Sequence, residues 1–245
     1  MKKQLFLFAF MITILAACSK TKVDNTSSGA GNTGATGAVS EPGYGPSNTS
    51  FSAPAWKLPS GVEMDDSIHD YSYCWAFPPF TNVQPKDWKG VPVGFTFCMT
   101  IKNKNNNLPF IIHFPPELIL ASSSFKHQNV LIIELGDVEL QPGESRTIVA
   151  QGFCINKGRE IPQTFKDGTS DFLSYTFGPS NIPAALKEVT DIVESKHITM
   201  NDILKPDGTI DNTKIEKYVP IQTAIWEVTD GQGLTNETRN KLQHL

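Results

Sequence analysis

Phe95-Thr96-Phe97-Cys98-Met99-Thr100-Ile101 decides the fold. Large apolar residues take every second position and smaller ones the positions between, a period of two that a strand converts into one buried face. The pattern recurs on both sides. Upstream, Tyr71, Tyr73, Trp75 and Phe77 alternate with Ser72, Cys74 and Ala76 until Pro78-Pro79. Downstream, a polar turn over 103–107 leads to Phe110, Ile112 and Phe114, and Pro115-Pro116 stops that run. Residues 118–121 and 130–135 read as buried strands. Residues 138–140 and 146–156 read as a strand pair joined by the turn Gln141-Pro142-Gly143-Glu144. Short strands separated by turn signals predict an antiparallel sandwich rather than alternating βαβ units.

The turn just named refines that expectation. Leu140-Gln141-Pro142-Gly143-Glu144-Ser145, followed by the β-branched Thr147, Ile148 and Val149, resembles a hairpin common in bacterial immunoglobulin-like modules. After Gly178 the period changes. Leu186, Val189, Ile192 and Val193 fall at helical spacing behind Asn181 and Pro183, which suit a helix start. A second helix opens at Pro220, with Ile221, Ala224, Ile225 and Val228 on one side and Gln222, Trp226 and Thr229 on another. Gly231 and Gly233 end it, and Thr235 caps a last short helix. The expected fold is mainly β: an immunoglobulin-like antiparallel β-sandwich with a C-terminal cluster of short α-helices, one domain over 55–245.

The N-terminus reads differently. Lys2 and Lys3 precede an apolar run from Leu5 to Ala17, too short to span a bilayer as a helix and right for an export signal. Leu15-Ala16-Ala17-Cys18 resembles the lipobox of bacterial lipoproteins. That resemblance implies cleavage after residue 17, acylation of Cys18 and, with it, tethering to the lipid bilayer at the bacterial outer membrane or cell surface. Several acyl chains hold a protein without further help, at about 0.8 kcal/mol per buried CH₂. Residues 18–54 are poor in anything to bury and predict a flexible tether. A glycine pattern at 29–34 inside it lacks the strand and helix that dinucleotide binding needs. Without Lys2 and Lys3, 21 basic residues become 19 against 25 acids, which argues against nucleic acid as a partner.

Recognisable catalytic signatures are missing. No Cys-x-x-Cys, serine elbow or phosphate loop occurs, and no histidine pair has metal-ligand spacing on a helix. Asp65, Asp66, His69 and Asp70 could gather a metal but suit a solvated loop better. Around Gly208 a calcium loop would need an acid where Ile203 stands. Tyr71, Tyr73 and Trp75, on one strand face, are either core or a platform for stacking sugar rings. The sequence thus predicts no metal, no cofactor and a non-enzymatic binding or adhesion module for a host or cell-surface protein or glycan. An enzyme with an unassigned site is the further alternative.

The cysteines carry the sharper alternative. With Cys18 lipidated, Cys74, Cys98 and Cys154 remain in an oxidising compartment, where two can pair. Cys74 and Cys98 lie on small-residue faces of adjacent early strands, so a Cys74–Cys98 disulfide is expected. Cys154 ends a strand in Gly152-Phe153-Cys154-Ile155-Asn156, and Gln222-Thr223-Ala224-Ile225-Trp226 lies on the later helix. Together these resemble bacterial thioester domains, which carry an aromatic-Cys strand and a later Gln-x-Ala-Ile-Trp helix. The resemblance implies a covalent adhesin with an internal Cys154–Gln222 thioester shielded by Trp226. The other reading is a buried thiol beside an ordinary packed helix.

Overall fold

The computed structural model describes residues 37–70, 73–74, 82–161, 165–166, 169–170, 173–231 and 233–245. Eleven strands run through them: β1 (Val62–Met64), β2 (Ile68–Asp70), β3 (Phe95–Asn103), β4 (Phe110–His113), β5 (Glu117–Ser122), β6 (Val130–Ile133), β7 (Asp137–Leu140), β8 (Ser145–Cys154), β9 (Phe165–Lys166), β10 (Thr169–Ser170) and β11 (Ser174–Phe177). The helices are α1 (Ala184–Glu194), the single turn α2 (Asn212–Ile215), α3 (Val219–Thr229) and α4 (Asn236–Gln243).

The mainly β, antiparallel character and the C-terminal helices are as the sequence predicts. The two-sheet, immunoglobulin-like arrangement is not what the pairing builds. β3 pairs with β2, β2 with β11, β11 with β5, β5 with β6, β6 with β8, and β8 returns to β3. Six strands therefore close into a barrel, which leaves no open edge in the ring. The β3–β8 seam is the longest, from Phe95 opposite Gly152 to Lys102 opposite Ser145. Outside the ring, β1 extends the pairing along β3, β4 and β7 form a separate two-stranded sheet, and β9 and β10 form another. Both sandwich and barrel bury alternate residues. What separates them is β11, a four-residue strand that bridges β2 and β5.

Alternation in β3 does what its sequence requires. Phe97, Met99 and Ile101 point into the barrel with Leu118, Leu120, Val130, Ile132, Ala150, Cys154 and Tyr175. The opposite parity, Ile119, Leu131, Ile133, Phe153 and Ile155, faces outward and is covered by Leu186, Val189 and Val193 of α1 and Ile221, Ala224, Ile225 and Val228 of α3. Each such side chain contributes about 1.5–3 kcal/mol when fully buried. The helix starts are as read from Pro183, Pro220 and Thr235, and the Thr235 hydroxyl accepts from the Thr238 N–H at 3.2 Å. Cys98, on the outward parity of β3, is joined to Cys74 by a disulfide. Their separation of 24 residues makes that link worth roughly 3 kcal/mol in the loop-entropy description.

Two expectations are corrected. Tyr73 and Cys74 are helical, not part of an aromatic strand. The strand stops at Asp70, whose carboxylate accepts from the Tyr73 N–H at 3.3 Å, a local bond that competes with the sheet ladder. Tyr71 and Trp75 lie outside the described residues. The second correction concerns the tether over 18–54. Its first part, with Cys18 and residues 1–17 before it, lies outside the described residues, but from Val39 onward the chain is packed on the domain. Val39 and Tyr44 are buried, and Val39 N–H donates to Val228. Gly45 N–H donates to the Ile155 carbonyl at 2.9 Å, while the Asn129 and Asn156 amides grip the Gly43 and Gly45 carbonyls. Gly45 must be glycine here. Its φ is +54°, and a Cβ would stand 1.9 Å from the Thr229 carbonyl oxygen. Composition hid this strap because backbone carbonyls, rather than its own side chains, hold most of it.

Candidate functional site

β8 ends at Cys154, and the seam with β3 stops two residues earlier at Gly152. On its other side Cys154 stands opposite Val130 of β6. The vacant side of its peptide is taken by a side chain. The Cys154 N–H donates to Gln222 Oε1 at 2.9 Å, and Gln222 Nε2 donates to the Cys154 carbonyl at 2.8 Å. The carboxamide thus sits where the next strand's peptide would be. Helix α3 can present it because Ile221, Ala224, Ile225 and Val228 are locked against the barrel wall, which fixes the face carrying Gln222. The two residues singled out from the sequence, 68 positions apart, are brought together.

Around this clamp the barrel end is closed. Cys154 is fully buried, with its side chain on the inward parity beside Val130, Phe97 and Tyr175. Trp226, one turn after Gln222, is 7% exposed and packs into the same interior, its indole N–H buried without an acceptor among the described residues. The Lys157 ammonium stands 5.7 Å from the centre of that ring, a cation–π distance. Burial pushes the Asp230 carboxyl up to about 6, with the Lys157 charge pulling the other way. Among the described residues, Cys154 is the cysteine outside the Cys74–Cys98 disulfide.

Two polar groups here went unread in the sequence. Tyr175 of β11 stands opposite Ile68 of β2 and Ser122 of β5, with its ring edge-on to Phe97 at 5.1 Å. It is 1% exposed, and its hydroxyl has no partner in strict hydrogen-bond geometry among the described residues; the Ser122 hydroxyl is the polar neighbour that opposes the upward shift of its phenol. Burial holds the Tyr175 phenol well above its ordinary range, reinforced by the charges of Cys154 and Asp70. Asp70, also 1% exposed, lies opposite Phe97 and therefore on the same inward parity. Strand Ser174–Phe177 is too short to announce itself by alternation, and Asp70 looked like one more acid of a polar loop.

The remaining expectations find different surroundings. Tyr73 stacks on His69, ring centres 3.7 Å apart, and its hydroxyl donates to Asp66 at 3.0 Å. Asp66 also pairs with His69 at 3.2 Å, while Asp65 accepts from the Ser145 hydroxyl. These four residues do not converge on one point. A different acidic group does, outside the barrel under α1: Glu117, Asp191 and Glu194. There the Lys187 ammonium pairs with Glu117 and, at 2.7 Å, with Asp191, and the Thr190 hydroxyl donates to Glu117 at 3.0 Å. Burial, followed by the Glu117 charge, pushes Glu194 up to about 7, with Lys187 opposing. Lys187 occupies this group as an internal counter-ion.

No protein-family model, no curated protein and no solved structure matches this chain. No helix of the described residues is long and apolar enough to cross a membrane.

Proposed function

We propose that this protein is a lipid-anchored adhesion module that captures a partner covalently through an internal thioester between Cys154 and Gln222. One observation carries the reading: the Gln222 carboxamide is held by two hydrogen bonds against the backbone of Cys154. In that geometry the Cys154 thiolate attacks Gln222 Cδ, the S–C bond forms, and the C–N bond breaks to release ammonia. The Cys154 N–H already points at Oε1, where negative charge develops in the tetrahedral intermediate, so it acts as a pre-placed oxyanion donor. The product is an acyl group on a good leaving group. A lysine amine of a host or cell-surface protein then displaces sulfur and leaves an amide bond to Gln222. No metal or cofactor is consumed.

Such a bond persists only where water is kept away. Burial of Cys154 and the lid formed by Trp226 support that requirement. The chemistry happens once per molecule, which fits an adhesin rather than an enzyme. Cys18 supplies the anchor in this reading, at the bacterial outer membrane or cell surface. The sugar-stacking alternative is weaker, because the Tyr73 ring is already covered by His69.

The test is the intact mass of the full chain beside Gln222→Ala, before and after methylamine. The expected wild type is one ammonia lighter than calculated and regains mass with methylamine; Gln222→Ala has its full mass and ignores the amine. Full calculated mass for the wild type, with a titratable Cys154 thiol, would remove the proposal. Cell fractionation of Cys18→Ser tests the anchor: retention in membranes would rule it out.

A further inference from the structure

Thioester formation leaves a proton to be moved. The Cys154 thiol must lose it and the departing amide nitrogen must gain it, inside a closed barrel end from which bulk water is excluded. The strand register puts two buried polar groups there. Cys154 ends β8, Tyr175 sits at the start of β11, and Asp70 ends β2; all three are on the inward parity at the same end of the ring. Their exposures are 0%, 1% and 1%. A phenol hydroxyl without a partner in hydrogen-bond geometry at such depth costs stability. The Tyr175 ring packs on Phe97 without its oxygen, and asparagine at position 70 would keep the acceptor for the Tyr73 N–H.

We propose that Tyr175 and Asp70 form the proton path of this site, the Tyr175 hydroxyl passing the Cys154 thiol proton to the Asp70 carboxylate and later returning it to the leaving amine. The inference rests on the thioester reading above. The Tyr175 oxygen accepts from the thiol as its own proton moves to Asp70, leaving a thiolate, a neutral phenol and a protonated carboxyl. The thiolate attacks Gln222 Cδ, and the oxyanion is held by the Cys154 N–H. The C–N bond breaks as the proton travels back, so a thiol and a carboxamide become a thioester and ammonia. Capture of a partner runs the same path in the other sense. The attacking amine gives up a proton as its N–C bond forms, the C–S bond breaks, and the proton ends on Cys154 sulfur. Tyr175 acts on the reacting sulfur; Asp70 is a positioning residue that acts through it.

The experiment compares the purified full chain with Tyr175→Phe, Asp70→Asn and the double variant. It reads thioester content by intact mass and the rate of methylamine uptake across pH 5–9. General acid–base assistance of this kind is worth on the order of a hundredfold. Tyr175→Phe is expected to slow thioester formation and methylamine uptake by about that factor. Asp70→Asn is expected to slow them similarly and to remove the pH dependence of uptake. The double variant is expected to be no slower than either single one, because the two act as a unit. Wild-type thioester content and uptake rate in Tyr175→Phe would overturn the relay and leave the thioester standing. A wild type of full calculated mass would overturn both. Should Asp70→Asn fail to fold, Tyr175→Phe, which keeps the ring and its packing, decides the matter alone.

Discussion

Under α1, Glu194 is the acid left over, with a buried oxygen that has no described partner, but the Glu117 carboxylate beside it is buried and has its partners: Lys187 pairs with it, Asp191 shares Lys187, and Thr190 donates a hydroxyl. At the barrel end the opposite holds. The Tyr175 hydroxyl and the Trp226 indole N–H are equally buried and have no described partner. The first arrangement holds a helix on a barrel wall. The second leaves polar atoms open to a partner, as the proposed reaction requires. Buried polarity is informative by its accounting: each unsatisfied group calls for its own explanation.

The comparison breaks most visibly at Glu117. Glu117→Ala would take the buried acceptor from the Thr190 hydroxyl and one of two carboxylates from the half-exposed Lys187 ammonium, and leaving a buried donor unsatisfied costs about 1–3 kcal/mol. Urea denaturation is expected to show that loss, while methylamine uptake stays at the wild-type rate. A stability change below about 1 kcal/mol would mean that the α1 network is ornamental.

Glu194 gives a smaller effect with a definite sign. Its carboxyl is raised from the ordinary 4.5 to about 7, so the folded chain keeps a proton that the unfolded chain has released. Stability from this group is whole below about pH 4.5 and is lost as pH rises through 7. Glu194→Gln should therefore stabilise the protein at pH 8 and do nothing near pH 4. After discounting for solvent screening the gain is about 1 kcal/mol, or roughly 2–4 °C in Tm. A gain that is equal at both pH values would contradict it. Last is the stability effect of Tyr175→Phe. Removing a buried hydroxyl without a partner is expected to raise stability, by up to about 1 kcal/mol. A loss above about 2 kcal/mol would place Tyr175 with the satisfied groups instead.

Much of this was legible in the sequence, and the exceptions have physical causes. Alternation over Phe95–Ile101 marks β3, and the spacing of Ile221, Ala224, Ile225 and Val228 marks α3, because burial on one face leaves its period in the chain. Closure of the ring leaves no such trace. It depends on which strands pair, and the pairs β2–β11 and β11–β5 join segments more than fifty residues apart. Cys154 and Gln222 were readable because a motif names them. Tyr175 and Asp70 were not, since their proximity to Cys154 exists only once the barrel has closed. The alternation misled at Tyr73 and Cys74 for a related reason: a period of two says nothing about a local carboxylate, here Asp70, that bonds to the Tyr73 N–H where these two residues turn helical.

The strap formed by Val39, Gly43 and Gly45 has a mechanical meaning. In the proposed covalent complex, a pull on the chain ahead of Val39 would enter the fold where the strap is bonded to Asn129, Ile155, Asn156 and Val228. Ile155 and Asn156 directly follow Cys154, and Val228 lies less than two turns beyond Gln222 on the same helix. The force would therefore pass from strap to bond within a few residues of β8 and α3, with most of the ring outside the path.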